Sequence, residues 1–146
     1  MTILFVCTGN TCRSPMAAAL ADKMFATRGA IAASCGVFAA DGAGPSQNAV
    51  AAMKDGWGLD ISGHRAKRVS EQDLADAFVV IAMTAGHKSH LNALFPEFAG
   101  KIHAVSEICE EGCDIEDPFG ASLDVYLECA RQIEQFLDKF GREGFL

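Results

Sequence analysis

The chain opens with a short apolar run that leads directly into a polar loop and then into an alanine-rich segment. Residues 3–7 have the composition of a buried parallel strand. Pro15 opens the alanine-rich segment, which is typical of a helix to about Arg28, where Gly29 would close it. This order of strand, loop and helix constrains the fold more than any other feature and predicts an α/β protein with a ligand loop after its first strand.

The rest of the chain continues the alternation of strands and helices. Strands are predicted at residues 31–37, 78–83 and 101–105, and a helix is predicted at residues 46–53 with Ser46 as its N-cap. A final amphipathic helix is indicated by apolar residues that recur at three- and four-residue steps, at Leu123, Tyr126, Leu127, Ala130, Ile133, Leu137 and Phe140. Together the elements predict one domain, residues 1–146, built on a parallel sheet.

Composition excludes several classes of protein. The net charge of -7 argues against a nucleic-acid partner, and no stretch approaches the length of a membrane span. The six cysteines come without an export signal in a chain whose apolar half can supply a core, so reduced thiols are expected. These features predict a cytoplasmic protein with no membrane partner. No feature of the sequence identifies the oligomeric state; a monomer is favoured, and no cofactor is expected.

The loop from Cys7 to Ser14 has the properties of an anion site. Successive N–H groups in a curled loop at a helix N-terminus form a nest for a phosphate-like group. Gly9 and Asn10 suit positive φ angles, which such a loop demands, and Pro15 suits the first helical turn. The sequence therefore predicts a phosphate site after the first strand.

Cys7 and Arg13 give this loop a chemistry beyond binding. The amides, the helix dipole and Arg13 all favour the thiolate form of Cys7, and Ser14 is placed to donate a hydrogen bond to its sulfur. Arg13 offers a planar fork to two phosphate oxygens. Alternatively, Cys7 is a buried strand-end cysteine and Arg13 a solvated charge, but the surrounding strand, Gly-Asn pair and Ser-Pro helix start favour the site.

Residues 6–15, Val-Cys-Thr-Gly-Asn-Thr-Cys-Arg-Ser-Pro, resemble the signature of the low-molecular-weight protein tyrosine phosphatase family. Asp117-Pro118 is similar to the general-acid loop of that family, although read alone it is only a turn. The order of elements and the chain length also agree, so the resemblance covers essentially the whole chain.

The resemblance implies a single three-layer domain with a four-stranded parallel sheet flanked by helices. It implies Cys7 as the nucleophile, Arg13 as a catalytic phosphate clamp and Asp117 as the general acid. Sulfur attack on phosphorus independently requires such a group, because the leaving group must be protonated and a water must then be activated. The expected substrate- and phosphate-binding residues are Thr8, Gly9, Asn10, Thr11, Cys12, Arg13, Ser14 and Phe119.

Two residues bear on the substrate. Thr11 stands where many tyrosine phosphatases of the family carry a larger aliphatic residue, and Phe119 follows Asp117-Pro118. Both features are similar to the bacterial protein-arginine phosphatases. We therefore expect hydrolysis of phosphoarginine in phosphorylated proteins, with phosphotyrosine as the alternative substrate. In the alternative interpretation, Thr11 simply occupies a position in the loop and does not select the substrate.

Two other function classes share the loop. Arsenate reductases related to this family need a downstream cysteine pair. The region at the end of the strand predicted at residues 78–83, where that family places its pair, contains Met83 and Ser89 but no cysteine, and Cys109 and Cys113 fall elsewhere. A non-catalytic phosphoanion-binding module would need neither the thiol of Cys7 nor Asp117. Both are weaker alternatives to a phosphatase.

The remaining reactive side chains receive structural or regulatory interpretations. Cys12 either forms a reversible disulfide with Cys7 under oxidation or fills the space beneath the loop. Loop rather than metal chemistry is expected for Cys109, Glu110, Glu111 and Cys113. A surface location is expected for His64, Arg65, His87 and His90, and a core location for Cys35, Trp57, Tyr126 and Cys129.

Overall fold

The structure, a computed structural model, describes residues 1–109 and 113–146. Its described residues contain one sheet of four parallel strands in the order β2-β1-β3-β4. The strands are β1 (Thr2–Cys7), β2 (Ile31–Gly36), β3 (Val79–Ala82) and β4 (Ile102–Ala104). The expected four-stranded parallel α/β fold is confirmed.

Helices connect the strands and cover both faces of the sheet. They are α1 (Arg13–Met24), α2 (Gln47–Trp57), α3 (Glu71–Asp76), α4 (Ala85–Leu94), α5 (Val105–Ile108) and α6 (Leu123–Arg142), with a 3₁₀ helix at Pro96–Lys101. In the part of the chain that the structure describes, no helix has the length and apolar character needed to cross a bilayer.

Alternate residues of β1 point into two different cores. Ile3 and Phe5 pack with α1, α2 and α6, whereas Leu4 and Val6 pack with α3 and α4. Because the strand is buried on both faces, it reads as a continuous apolar run rather than an alternating one. This double burial fixes the register of β1 and with it the position of Cys7 at the strand's carboxyl end.

The helix boundaries differ from the predicted ones at identifiable residues. Helix α1 begins at Arg13, two residues before Pro15, and ends at Met24. Phe25 is its C-cap residue and packs on Phe140 with 6.1 Å between ring centroids. Helix α2 runs beyond residue 53 to Trp57 and ends where Gly58 takes a left-handed conformation. Ser46 is its N-cap, as predicted, and accepts from Ala49 N–H.

Helix α3 was not anticipated from the sequence, although its signal is present. The Ser70 hydroxyl accepts from Asp73 N–H, and the Asp73 carboxylate accepts from Ser70 N–H, which is a capping box. A serine followed three residues later by an acidic residue predicts a helix start, so the sequence alone indicates this helix.

The topology places the loop after β1 in a crevice at the carboxyl edge of the sheet. The chain moves from β1 to β2 on one side and then returns to β3 on the other side of β1. Parallel α/β sheets bind ligands outside the carboxyl ends of the strands at such a reversal of strand order. The fold thus directs attention to the residues that follow Cys7.

Candidate active site

Cys7 lies at the base of the loop, where β1 ends. Its side chain is 2% exposed, and its Sγ is 2.9 Å from the Ser14 hydroxyl oxygen. The Ser14 hydroxyl also lies 3.3 Å from the Cys35 carbonyl, a second acceptor for its one proton. When Cys7 is a thiolate it can only accept, so the proton of Ser14 is then best placed on the sulfur.

Asn10 holds the loop in its curled shape. It is fully buried and has a positive φ of 58°, while the positive φ predicted for Gly9 is wrong. The Asn10 amide donates to Ser14 Oγ at 2.8 Å and Ser34 Oγ at 3.0 Å, and its side-chain oxygen accepts from Lys67 N–H at 3.0 Å. Three separate segments therefore converge on one side chain.

Two residues outside the loop contact its backbone, and the sequence analysis did not assign either of them to the site. His64 Nε2 hydrogen-bonds the Asn10 carbonyl at 2.8 Å, so His64 is not the free surface residue that was expected. Gly36, at the end of β2, comes so close that a Cβ there would lie 2.4 Å from the Thr8 carbonyl oxygen and 3.0 Å from Asn10 N. Only glycine permits this approach.

Arg13 joins the loop to the segment that carries Asp117. It is the first residue of α1 and is 5% exposed. Its guanidinium donates to the Ile115 carbonyl at 3.0 Å and the Thr8 hydroxyl at 3.3 Å, and Nη2 lies 3.7 Å from Asp117 Oδ2. The two motifs that are more than a hundred residues apart in sequence thus meet at one side chain.

Asp117 and Phe119 lie on the open side of the crevice. Ile115 N–H donates to the Met83 carbonyl at 3.0 Å, which ties this segment to the carboxyl end of β3. The Asp117 side chain is 52% exposed, and its Oδ1 accepts from Phe119 N–H at 3.0 Å. Phe119 is 74% exposed, so its ring is available to a ligand.

The N-terminus of α1 is suited to an anion. Cys12 is the N-cap residue, and no side chain caps this end of the helix. Uncapped N–H groups at a helix start, together with the positive end of the helix dipole, attract phosphate and similar groups. The start of α1 therefore offers amide donors beside the fixed positive charge of Arg13.

Thr11 and Cys12 lie where the loop meets α2 and α6. Cys12 Sγ is 3.3 Å from the Ser46 hydroxyl and 3.4 Å from the Tyr126 hydroxyl, and Thr11 Oγ1 is 3.7 Å from Cys12 Sγ. Burial raises the pKa of Tyr126 to about 12. Cys7 and Cys12 are both free thiols.

His87 is buried, which corrects the prediction of a surface histidine. It lies on α4 as expected but is only 7% exposed. Its Nε2 hydrogen-bonds the Thr8 hydroxyl at 2.8 Å and its Nδ1 the Thr84 hydroxyl at 3.0 Å. Burial, reinforced by the nearby charge of Arg13, lowers the pKa of His87 to about 4, so its ring is neutral at physiological pH.

The other cysteines are placed as packing residues or outside the site. Burial raises the pKa of Cys35, and it raises that of Cys129 to about 12, so both remain thiols.

Glu110 and Glu111 lie outside the described residues, and the described part of the chain holds no cluster of three His, Cys, Asp or Glu residues suited to a metal. Trp57 is half-buried and donates to Glu134 at 2.6 Å.

Comparison with known proteins matches this geometry to a family. A model described as low molecular weight phosphotyrosine protein phosphatase covers residues 2–143. The chain belongs to this family. Its fold is therefore that of a low molecular weight phosphatase, and the protein is an enzyme of the protein phosphatase class.

Similar members of the family carry two kinds of name. A protein-arginine-phosphatase of Geobacillus stearothermophilus is 38% identical over 97% of this chain and 94% of its own length. The low molecular weight protein-tyrosine-phosphatase PtpB of Staphylococcus haemolyticus is 36% identical over 95% of this chain and 96% of its own. The solved structure of a low molecular weight protein tyrosine phosphatase from T. tengcongensis has a TM-score of 0.93 at 43% identity, covering 98% of this chain and 99% of that one.

The close approach of Gly36 to the loop generates a first prediction. Gly36→Ala forces its Cβ against the Thr8 carbonyl, so the loop must shift, at a cost of about 1–3 kcal/mol in unfolding free energy and about tenfold or more in kcat/KM with p-nitrophenyl phosphate. Gly100→Ala is the matched control, because a Cβ at Gly100 has no neighbour within 4 Å. Equal stability and activity of the two variants would contradict the tight packing described for Gly36.

The buried neutral His87 generates a prediction on acid stability. The folded-state pKa of about 4 lies below the ordinary value of 6.5, so the unfolded chain binds the proton first as pH falls. Stability from this group is complete above about pH 6.5 and is lost progressively down to about pH 4, by on the order of 3 kcal/mol. Urea unfolding of the wild type and of His87→Gln at several pH values in this range measures the two free energies of unfolding. The difference between the two free energies should shrink or reverse in acid. A difference that does not change with pH would show that His87 does not titrate this way.

Proposed function

We propose that this protein is a protein-arginine phosphatase that hydrolyses phosphoarginine through a phosphocysteine on Cys7. The observation that carries the proposal is the position of Arg13. Its guanidinium hydrogen-bonds Thr8 of the loop and Ile115 of the acid segment while it lies 3.7 Å from Asp117. A phosphate held by Arg13 above Cys7 would therefore have a carboxyl group beside it.

In the first step, the thiolate of Cys7 attacks phosphorus and an S–P bond forms. The P–N bond to the arginine side chain breaks, and the leaving nitrogen takes a proton from the carboxyl group of Asp117. Arg13 and the amides at the start of α1 stabilise the negative charge on the transferring phosphoryl oxygens. Ser14, 2.9 Å from the sulfur, stabilises Cys7 as a thiolate before attack and as a leaving group afterwards.

In the second step, water attacks the phosphorus of the phosphocysteine and displaces the sulfur of Cys7. The carboxylate of Asp117, having lost its proton, accepts one from the attacking water, and the S–P bond breaks to release inorganic phosphate and the thiolate. One exposed carboxyl group can act in both directions because it faces solvent, where water is available. Each step balances without a metal or an added cofactor.

The choice of phosphoarginine rests on Thr11 and on the relatives. Thr11 is half-buried in the loop wall, and a threonine there is smaller at one branch than isoleucine and offers a hydroxyl to a guanidinium group. The relative from Geobacillus stearothermophilus is named a protein-arginine-phosphatase. Phosphotyrosine is the second candidate substrate, because the exposed ring of Phe119 suits a phenyl group and the T. tengcongensis protein is named a tyrosine phosphatase.

The same site suggests which substrates the enzyme acts on and where it works. Its substrates are proposed to be phosphorylated proteins, and a nucleophilic thiol at Cys7 fits a reducing cytoplasm. Cys12 is proposed to protect that thiol by forming a reversible disulfide under oxidation, which requires it to leave its contacts with Ser46 and Tyr126. We propose a monomer as the active form.

Kinetics on matched peptides test the substrate assignment. The wild type should have a higher kcat/KM for phosphoarginine than for phosphotyrosine and little activity on phosphoserine. Thr11→Ile should move the ratio toward phosphotyrosine by about tenfold or more, since a single added methylene in a pocket is worth about 10–200-fold. Parallel steady-state assays at one pH provide the measurement.

Thr11→Val serves as the matched control because it keeps the size of threonine and removes only the hydroxyl. A shifted ratio in Thr11→Val as well as in Thr11→Ile assigns the selection to the hydroxyl, whereas a shift in Thr11→Ile alone assigns it to size. An unchanged ratio in both variants overturns the role of Thr11, and a wild type that prefers phosphotyrosine overturns the substrate assignment.

A further inference from the structure

A buried histidine on a different element contacts the phosphate loop and takes no part in the chemistry proposed above. His87 projects from α4, and its Nε2 lies 2.8 Å from the hydroxyl of Thr8, the residue that follows the nucleophile. Its Nδ1 hydrogen-bonds the Thr84 hydroxyl, which also caps α4 by accepting from His87 N–H. Both ring nitrogens are therefore occupied, and the ring orientation is fixed.

The Thr8 hydroxyl connects this histidine to the phosphate clamp. Arg13 Nη2 donates to the same Thr8 oxygen at 3.3 Å. Arginine has only donors, so the Thr8 oxygen must accept from it, and the remaining hydrogen-bonding capacity of the hydroxyl faces His87. Thr84, His87, Thr8 and Arg13 thus form one continuous chain of hydrogen bonds from the start of α4 to the anion site.

We propose that His87 is a positioning residue for phosphate binding, which fixes the Thr8 hydroxyl and through it the guanidinium of Arg13. The Ile115 carbonyl holds Arg13 from the other side at 3.0 Å. With one amino group bound by Ile115 and the other by Thr8, the plane of the guanidinium is set before phosphate arrives. Preorganised donors of this kind stabilise an anion without the cost of reorganisation.

The protonation state of His87 is suited to this role. A neutral imidazole has one donor and one acceptor nitrogen, whereas the imidazolium would place a second positive charge beside Arg13. The charged or titratable groups around the ring are Arg13, Asp114, Asp117 and His90, and Asp114 accepts from Ala85 N–H in the first turn of α4. Burial and Arg13 outweigh the two carboxylates, and they keep the ring neutral.

The inference rests on the proposed phosphatase function only in requiring that Arg13 holds the phosphoryl group. The experiment therefore measures both turnover of p-nitrophenyl phosphate and competitive inhibition by inorganic phosphate. His87→Leu removes the hydrogen bond to Thr8 and should raise the Ki of phosphate about 5- to 20-fold. The KM for substrate should rise by a similar factor, with a smaller change in kcat.

His87→Gln is the rescue variant, because its neutral amide can reach Thr8 with a donor and an acceptor. It should return the Ki to within about threefold of the wild-type value. Thr8→Val removes the hydroxyl and with it the hydrogen bonds to both His87 and Arg13, so it should raise the Ki at least as much as His87→Leu does. The double variant Thr8→Val/His87→Leu should have a phosphate Ki no higher than that of Thr8→Val alone, since Thr8→Val already removes the hydroxyl through which His87 acts on Arg13.

The outcomes separate this inference from the proposed function. A wild-type Ki in Thr8→Val, multiplicative effects in the double variant, or a His87→Gln variant as weak as His87→Leu each overturn the role of His87. If His87→Leu fails to fold, Thr8→Val and His87→Gln still decide the question. A wild type that binds phosphate but turns over no substrate overturns the proposed function and leaves the positioning role standing.

Discussion

The site depends on the hydrogen bonds that Asn10 makes while its backbone holds a left-handed conformation. At a φ of 58° a residue other than glycine is held against its preference, which persists only where the surroundings over-determine it. Here the surroundings are Ser14, Ser34 and Lys67 N–H around the side chain, and His64 at the carbonyl. The curl of the loop, and hence the direction of its amides, follows from this one residue.

Arg13 connects two parts of the site that are distant in sequence. In the proposed reaction the loop after β1 binds the phosphoryl group and the segment after α5 supplies Asp117, so the mechanism needs both segments. The guanidinium contacts Thr8 on one side and Ile115 on the other, with Asp117 at 3.7 Å. A buried arginine with charge-assisted hydrogen bonds is a costly feature to maintain, and its position between the two motifs explains why it is present.

Sequence reasoning found the parts of the site that are local in sequence. Cys7, Arg13 and Ser14 share a loop whose flanking strand and helix are visible as patterns, and the strands were placed to within a residue or two. Gly36, His64 and His87 were missed or assigned to the surface, because their roles arise from contacts with residues 8–10 that lie from about 26 to 79 positions away. A histidine on a polar helix carries no local signal that its ring will be buried. The Ser70-x-x-Asp73 capping box shows the opposite case, a local signal that was present and not used.

Trapping the covalent intermediate on Cys7 tests the proposed mechanism most directly. Wild-type protein and Asp117→Asn, which removes the proposed acid of the first step and base of the second, are mixed with a phosphoarginine peptide and quenched at a series of short times under conditions that preserve an S–P bond. Peptide mass mapping then locates the phosphoryl group. We predict one phosphoryl group on the sulfur of Cys7 in the wild type, and slower formation of the same species in Asp117→Asn. Phosphate on another residue, or substrate turnover at the wild-type rate with Cys7→Ser and no labelled protein, would contradict the account.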